Sequence, residues 1–347
     1  MLEDDELLGQ WRRLAELREN PFLTPEWFRA WAESHDEEPW PLLWRRGGEL
    51  RGVLPLVRAR SGPLWVLRFA GAAIGDWFGP ACRAEEEAEM AAACAAALSA
   101  EGSAWQLLEL DRIDLASAWP EALWEVDAGR LAAARRRRLD VLPYVSFEEG
   151  GYEAYLAGRS RNFRSQLGRR RRRLEREHGL EIRMTAEAAD LDADLDGFFR
   201  LHDERWRAKG GSGAFPEGAR DAQRRFAAAA LERGWLRLWT AEVDGEAGAA
   251  WYGWRVGDRY CYALSGLSEA FEPLALGTVL LAHTIEQAAA EGASVYDLMW
   301  GDEGYKKRFE TGRREAGSWV LGRRGHPVAI ARAGIDRLKS AGRAVRR

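Results

Sequence analysis

Five side chains able to do acid–base or charge-stabilising chemistry follow a short apolar segment near the end of the chain. The segment covers residues 296–300 and ends at Gly301, and the side chains that follow are Asp302, Glu303, Tyr305, Lys306 and Lys307. An apolar strand that ends in a glycine turn rich in ionisable groups is typical of a site at the carboxyl end of a sheet strand. The segment therefore predicts a catalytic cluster, which the elements upstream must position.

Two stretches of the sequence carry the same order of elements. Residues 41–71 predict three strands, the second over 53–57, with turns at Gly47-Gly48 and at residues 61–63. Residues 235–266 again predict three strands, with turns at Asp244-Gly245 and Gly257-Asp258. Gly-Gly and Asp-Gly pairs supply the positive φ that tight hairpin turns demand. Each stretch therefore predicts an antiparallel meander.

A helix and a further strand follow each meander. The predicted helices cover residues 85–98 and 276–290, and both are followed closely by Ala-Glu-Gly, in which the glycine suits a helix C-terminus. The predicted strands cover residues 105–111 and 295–301. A helix that connects two strands of one sheet makes those strands parallel. The repeated unit predicts an α/β protein built from two similar mixed sheets flanked by helices.

The domain bounds follow from the region between the two copies. Residues 139–147 predict a last strand of the first half, so we expect an N-terminal domain over residues 1–150. A C-terminal domain over residues 151–325 would begin with a connecting helical stretch at 152–179. Further helices are predicted at 189–208 and 220–233, a loop at 209–218, and a basic helical tail at 326–347.

Composition limits the class of protein. With 347 residues, 46% hydrophobic and 31% charged, the chain has the balance of a soluble globular protein of two domains. Its net charge of −4 argues against binding nucleic acid over its whole surface. Neither a secretory signal nor a membrane span is expected, and the dispersed cysteines and histidines predict no disulfide and no metal site. We expect a cytoplasmic location.

Three stretches resemble a known family. Residues 20–27 resemble its opening, residues 160–179 its arginine-rich connecting helix, and residues 201–206 its catalytic half together with Gly277, Asp297 and the turn at 301–306. The duplicated meander, helix and strand are similar to the GNAT acyltransferase fold. In its tandem form the chain resembles the CelD/BcsL-like acetyltransferases and, more distantly, the FemABX aminoacyltransferases. The resemblance implies two GNAT-like domains with a helical connector, and transferase activity.

The resemblance implies an acyl-CoA donor, with acetyl-CoA as the simplest case. A helix N-terminus with free N–H groups binds the pyrophosphate of such a donor. The residues implied are Leu276, Gly277, Thr278 and Val279 in the first helical turn and Ser265 on the strand before it. Gly277 would let phosphates approach the backbone, or it only eases packing. Glu272, just ahead of the helix, is unfavourable for an anion.

Acyl transfer to an amine needs a base and donors for the developing oxyanion. Asp297 is either that base or a structural acceptor inside an apolar strand, on the same sheet face as Val295 and Met299. By resemblance Lys306 would stabilise charge near the acyl carbonyl, and Tyr305 would donate to the departing thiolate. Glu303 and Asp302 would hold the acceptor amine or act as base. Alternatively Lys306 is a solvated helix lysine, Tyr305 packs in the core, and Asp302 and Glu303 only solvate the turn.

The acceptor pocket is implied less directly. His202 and Trp206 share an apolar helical face with Phe198, which suits either an acceptor pocket or the core. The residues Tyr262 and Trp300 complete the implied substrate-binding set together with Asp302. The expected acceptor is a small molecule or a cell-envelope precursor.

Nine arginines lie between Arg159 and Arg176, on a stretch in which Phe163, Leu167 and Leu174 share one helical face. Such a helix either grips tRNA or another anionic acceptor, or is an amphipathic connector with a solvated face.

The sequence therefore favours an acyl-CoA-dependent N-acyltransferase in which the acceptor amine attacks the thioester directly. Two alternatives stay open. One is FemABX-like aminoacyl transfer from tRNA to a cell-wall precursor. The other is a non-catalytic GNAT-like binding module in envelope polysaccharide assembly.

Overall fold

Short polar residues cap the starts of several helices. The Asp4 carboxylate accepts a hydrogen bond from the Leu7 N–H at 3.0 Å, and the Thr24 hydroxyl accepts one from the Trp27 N–H at 3.2 Å. Such caps satisfy N–H groups that have no partner inside the helix. The described helices are α1 Asp5–Leu17, α2 Pro25–Ser34, α3 Glu87–Ala100, α4 Trp119–Val126, α5 Gly151–Ala157, α6 Arg161–Glu177, α7 Ala188–Arg207, α8 Ala219–Glu232 and α9 Leu276–Ala290.

The strands come from a computed structural model, which describes residues 2–100, 104–126, 131–132, 136–207, 210–211, 213–323, 325–327 and 331. They are β1 Glu38–Pro39, β2 Leu42–Arg46, β3 Glu49–Leu54, β4 Leu56–Ser61, β5 Leu64–Phe69, β6 Ala81–Cys82, β7 Leu107–Asp114, β8 Leu131–Ala132, β9 Arg136–Ser146, β10 Glu181–Met184, β11 Leu236–Val243, β12 Glu246–Val256, β13 Arg259–Leu267, β14 Val295–Asp297 and β15 Gly312–Arg323.

These elements form two compact units. Unit 1 contains Met1–Leu142 and Arg314–Arg347, and unit 2 contains Pro143–Arg313. The predicted α/β class, with helices flanking mixed sheets in two similar halves, is confirmed. The unit limits differ from the predicted bounds at 150 and 325, because β9 and β15 each cross from one unit into the other. The predicted tail at 326–347 lies almost wholly outside the described residues.

Unit 1 contains two sheets. In the larger one the strand order is β1-β4-β5-β7-β15, and β5 and β7 are parallel, as the crossover helix α3 requires. The smaller sheet has the order β2-β3-β6. The predicted strand over residues 53–57 is wrong, since it is divided between β3 and β4 at Pro55. Proline has no N–H for a sheet ladder, and the two strands join different sheets.

Unit 2 carries the second copy of the repeat. Strands β11, β12 and β13 form the predicted antiparallel meander, and β13 and β14 are parallel on either side of α9. The Asp244-Gly245 turn has φ of 54° and 81°, as a tight hairpin requires. Strand β10 lies at one edge of this sheet. Helix α9 covers residues 276–290, as predicted.

Two strand predictions in unit 2 are corrected by the structure. The strand predicted over 295–301 ends at Asp297, because Met299 has a φ of 59° and leaves the extended conformation. Asp297 and Met299 therefore do not alternate along one strand. The strand predicted at 139–147 does not close the first half. Its residues 144–146 pair with β14 inside unit 2.

Helix α6 buries the face that its spacing predicts. Phe163, Leu167 and Leu174 are the buried residues of this helix and join the core of unit 2. All three cysteines are buried, and none of them forms a disulfide bond within the described residues. No helix in the described part of the chain is long and apolar enough to cross a bilayer. The same residues contain no group of three or more histidine, cysteine or acidic side chains arranged to hold a metal.

Candidate active site

The parallel strands β13 and β14 separate soon after they begin to pair. Their register runs only from Arg259 opposite Val295 to Cys261 opposite Asp297. Strand β13 continues to Leu267, whereas the chain turns away from β14 with φ of 59° at Met299. The later part of β13 therefore faces an opening in the sheet on this side.

A cavity of about 300 Å³ lies at this opening, and we call it the strand-end cavity. Its lining residues are Arg170, Arg205, Ala249, Ala250, Trp251, Tyr262, Ser265, Gly266, Leu267, Glu272, Ala275, Gly277, Thr278, Leu280, Leu281, Tyr305 and Arg308. The walls are apolar on the α9 side and carry cations and hydroxyl groups elsewhere. All of these residues belong to unit 2.

The start of α9 presents backbone N–H groups to this cavity. No side chain caps the helix, and Ala275 before it is left-handed with a φ of 55°. The N–H groups of Thr278 and Val279 donate to the Ala275 carbonyl at 3.0 and 3.2 Å. Those of Leu276 and Gly277 have no intrahelical acceptor, so they are available to an anion.

Of the residues predicted to bind the donor at this helix start, Gly277 and Thr278 line the cavity, while the side chains of Leu276 and Val279 are buried in the core. A Cβ added at Gly277 would meet only Leu267, at 3.6 Å. Glycine is therefore not required there by packing within the protein, and it leaves the backbone of the first turn open to a ligand.

Three guanidinium groups make the cavity electropositive. Arg170, Arg205 and Arg308 line it, and none of them has a carboxylate partner among the described residues. By contrast Arg171 and Arg173, on the same helix as Arg170, both pair with glutamates. Glu272 is the single carboxylate among the described lining residues, so the charge balance favours an anionic ligand.

A chain of hydroxyl groups crosses the cavity wall. The Tyr305 hydroxyl donates to the Tyr262 hydroxyl at 3.3 Å, which donates to Ser265 Oγ at 2.7 Å. Arg205 also donates to Ser265 Oγ. Burial raises the pKa of Tyr305 well above its ordinary value, and the neighbouring Tyr262 adds to the effect. Tyr305 therefore stays protonated at neutral pH, so its hydroxyl can donate a hydrogen bond.

Asp297 is enclosed rather than directed into the cavity. Its side chain is 0% exposed. One carboxylate oxygen accepts from the Met299 N–H at 2.9 Å and the other faces an Arg259 guanidinium nitrogen at 3.3 Å. These contacts fix the turn after β14, which fits the structural alternative weighed for this residue.

Lys306 is likewise engaged within the turn. It is 4% exposed, and its ammonium group donates to the Trp300 carbonyl at 2.7 Å and pairs with Glu303 at 3.0 Å. Neither Lys306 nor Glu303 lines the strand-end cavity. Of the four predicted catalytic residues, Tyr305 alone is among the described lining residues.

Apart from Tyr262, the predicted substrate-binding residues do not line the strand-end cavity. His202 is buried, and its Nδ1 donates to the Ser265 carbonyl at 3.0 Å, since that carbonyl only accepts. Burial lowers the pKa of His202, so its imidazole is neutral. Trp206 lies 6.2 Å from the His202 ring.

Asp302, by contrast, lies on the surface. It pairs with Lys307 and with Arg313, and the first of these contacts lowers its pKa most strongly. Trp300 is 39% exposed. Neither residue lines the strand-end cavity.

The cavity arginines were not singled out from the sequence. Arg170 is one of nine arginines in its stretch, and nothing in the sequence separates it from the solvated ones. Arg205 did carry a signal, because it follows His202 by three residues and so lies on a neighbouring position of the same helical face.

Comparisons with known proteins concern the fold that carries this cavity. Residues 161–307 match the family model described as an acetyltransferase (GNAT) domain. No curated protein sequence matches the chain.

Solved structures show the same fold at low identity. FemX is 12% identical with a TM-score of 0.65, over 88% of this chain and 94% of that one. The C-terminal domain of a putative lysylphosphatidylglycerol synthetase from Agrobacterium fabrum is 12% identical with a TM-score of 0.59, over 96% of both chains. L-PGS from Bacillus licheniformis is 13% identical with a TM-score of 0.53, over 91% of this chain and 96% of that one.

Proposed function

We propose that this chain transfers an acyl group from coenzyme A to an amine. It is an acyltransferase, and its residues 161–307 match the GNAT acetyltransferase domain. The strand-end cavity would be the donor site. One observation carries the proposal. The strand-end cavity is bordered by an uncapped helix start, by three arginines without carboxylate partners among the described residues, and by the part of β13 that β14 leaves unpaired.

The cavity fits the chemical parts of an acyl-CoA. Its pyrophosphate is an anion of the kind bound by helix N–H groups and guanidinium groups, here those of Gly277, Arg170 and Arg205. The amides of its pantetheine arm match the main chain of β13 beyond Cys261, where β14 no longer pairs with it and an extended ligand can take the place of a strand. Trp251 and Leu280 give an apolar wall for the acyl end.

The hydroxyl chain would serve the chemical step. As the amine attacks the thioester carbonyl, a C–N bond forms, the C–S bond breaks, the nitrogen releases a proton to solvent water and the sulfur gains one. Tyr305 would give its proton to the departing sulfur and recover one through Tyr262 and Ser265. Direct attack needs no enzyme nucleophile, and all three cysteines are buried.

Calorimetric titration with acetyl-CoA and longer acyl-CoAs tests the donor. Ligand at about 100 times its Kd should add roughly 2.7 kcal/mol to the free energy of unfolding and raise the Tm. Arg205→Gln should weaken binding about tenfold or more, because it removes a charged donor. Arg173→Gln is the matched control, since Arg173 is exposed and, among the described residues, pairs only with Glu177. If no acyl-CoA binds or raises the Tm, the proposal is wrong.

A specific observation favours aminoacyl transfer from tRNA as a second candidate. The exposed arginines of α6 without ion-pair partners among the described residues are Arg161, Arg164, Arg169, Arg172 and Arg176. At 100° per residue they fall within one stripe of the helix, opposite the buried face. Salt-sensitive tRNA binding that is lost in an Arg169→Gln, Arg172→Gln double variant would support this candidate. No binding at low salt would exclude it.

The non-catalytic alternative is decided by turnover. An amine-dependent release of free coenzyme A, absent in Tyr305→Phe, would exclude a module that only binds. A role in the cell envelope rests on the resemblance alone, and the acceptor would be identified by screening amines in the same assay.

A further inference from the structure

A second cavity, of about 340 Å³, lies at the start of α6 in unit 2. We call it the basic cavity, and its main lining residues are Arg159, Ser160, Asn162, Phe163, Lys307 and Arg308. Three of these side chains are cations, and the described residues that line it include no carboxylate, although Lys307 pairs with Asp302 at 3.2 Å outside the lining. A concave surface with this charge selects an anion.

Hydrogen-bond donors at the helix start add to the charge. Ser160 caps α6 by accepting from the Phe163 N–H at 3.2 Å, and its carbonyl accepts from the Arg164 N–H at 3.1 Å. The N–H groups of Arg161 and Asn162 have no intrahelical acceptor, and the first turn contains no acidic residue. Peptide N–H groups and cationic side chains together suit the several oxygens of a phosphate group.

The two arginines are held in place without carboxylates. Arg159 donates to the carbonyls of Phe309 and Glu310 at 3.4 and 2.6 Å. Arg308 stacks over the Phe163 ring at 5.3 Å and donates to Gln166 at 3.3 Å. Since the positions of both groups are fixed by neutral partners, their charges are not neutralised within the described part of the protein.

Arg308 lines both cavities, so a ligand in one lies beside a ligand in the other. The strand-end cavity already has its own helix start and two further arginines for the donor's phosphates. On this basis, and resting on the proposed donor site, we propose that the basic cavity binds a phosphate ester group of the acceptor. The acceptor class is then an amine that carries a phosphate or diphosphate.

Calorimetry with inorganic pyrophosphate, on the full chain saturated with coenzyme A, tests this site. Lys307→Gln should weaken pyrophosphate binding about tenfold or more and leave coenzyme A binding unchanged. Arg308→Gln should weaken both ligands, and Arg205→Gln coenzyme A alone. Arg313→Gln is the matched control, because Arg313 shares the partner Asp302 with Lys307 but does not line the cavity. Lys307 is half-exposed, so its loss should not unfold the chain.

Two results would overturn the assignment. If Lys307→Gln weakens coenzyme A and pyrophosphate no longer binds once coenzyme A is present, the cavity holds the donor's own phosphates. If pyrophosphate does not bind, or binds equally to wild type and Lys307→Gln, the cavity is not a phosphate site. Failure of the donor proposal is separate, since coenzyme A itself would then not bind, and pyrophosphate titration of the free protein still reports on Lys307.

Discussion

Replacement of Asp297 by alanine separates a structural role from a catalytic one. The carboxylate is 0% exposed, accepts from the Met299 N–H at 2.9 Å and pairs at 3.3 Å with Arg259, which is 15% exposed. Removing one partner of a buried pair costs about 3–5 kcal/mol. Because Arg259 retains some contact with water, we expect the lower end, about 3 kcal/mol. For a unit the size of Pro143–Arg313, this lowers the Tm by roughly 6–12 °C.

Asp297→Asn is the matched variant. Its side-chain oxygen still accepts from the Met299 N–H, while the charge that faces Arg259 is lost, so a loss of about 1–2 kcal/mol is expected. The assay is thermal unfolding followed by circular dichroism, with initial rates of acyl transfer measured well below the lower Tm. An Asp297→Ala protein with wild-type Tm and a turnover reduced a hundredfold would refute the structural interpretation and make Asp297 the base.

Two further predictions concern protons. Tyr305→Phe should lower kcat on the order of a hundredfold, as expected for loss of a general acid, with acyl-CoA affinity unchanged; equal kcat in both proteins would remove Tyr305 from the mechanism. Burial lowers the pKa of His202 and of His283. As the pH falls below about 6.5, these two side chains therefore bind more protons in the unfolded chain than in the folded chain. Their contribution to stability is complete above about pH 6.5 and is lost as the pH falls below it. Urea midpoints at pH 7.5 and 5.5 should differ less in His202→Gln than in wild type, and an unchanged difference would contradict the assignment.

Local signals in the sequence predicted most of the repeat. The Asp244-Gly245 turn and the glycine after α9 mark element ends because each needs a conformation that other residues adopt at a cost. Strand membership was harder to predict. The largely apolar stretch at residues 139–147 predicts a strand, but nothing local says which sheet it joins, and β15 went unpredicted because its start, GRREAG, is polar.

The candidate site shows the same limit at the level of single residues. Tyr305 and Lys306 are adjacent in sequence, yet one lines the strand-end cavity and the other bonds to the Trp300 carbonyl. A chain that leaves β14 through positive φ at Met299 and Gly301 directs neighbouring side chains in ways that residue spacing does not give. The cavity arginines were missed because charge alone does not separate a guanidinium group held at a cavity from a solvated one.

The two copies of the repeat differ most at the helix start. In unit 1 two glutamates lie at the start of α3. Glu86, just before the helix, pairs with Arg51. Glu87, the first helical residue, accepts a hydrogen bond from Ser117 Oγ at 2.9 Å and pairs with Arg18 at 2.9 Å. The protein's own buried carboxylates thus occupy the positive end of this helix, where a phosphate would bind.

The strand opening in unit 1 is also filled. Phe78 forms a parallel bridge with Ile113 on β7, and its N–H donates to the Arg112 carbonyl at 3.0 Å. In unit 2 the helix start is uncapped and the strand edge leads to the strand-end cavity. An anionic donor would meet carboxylates in one copy and guanidinium groups in the other. This difference supports placing the proposed donor site in unit 2 alone.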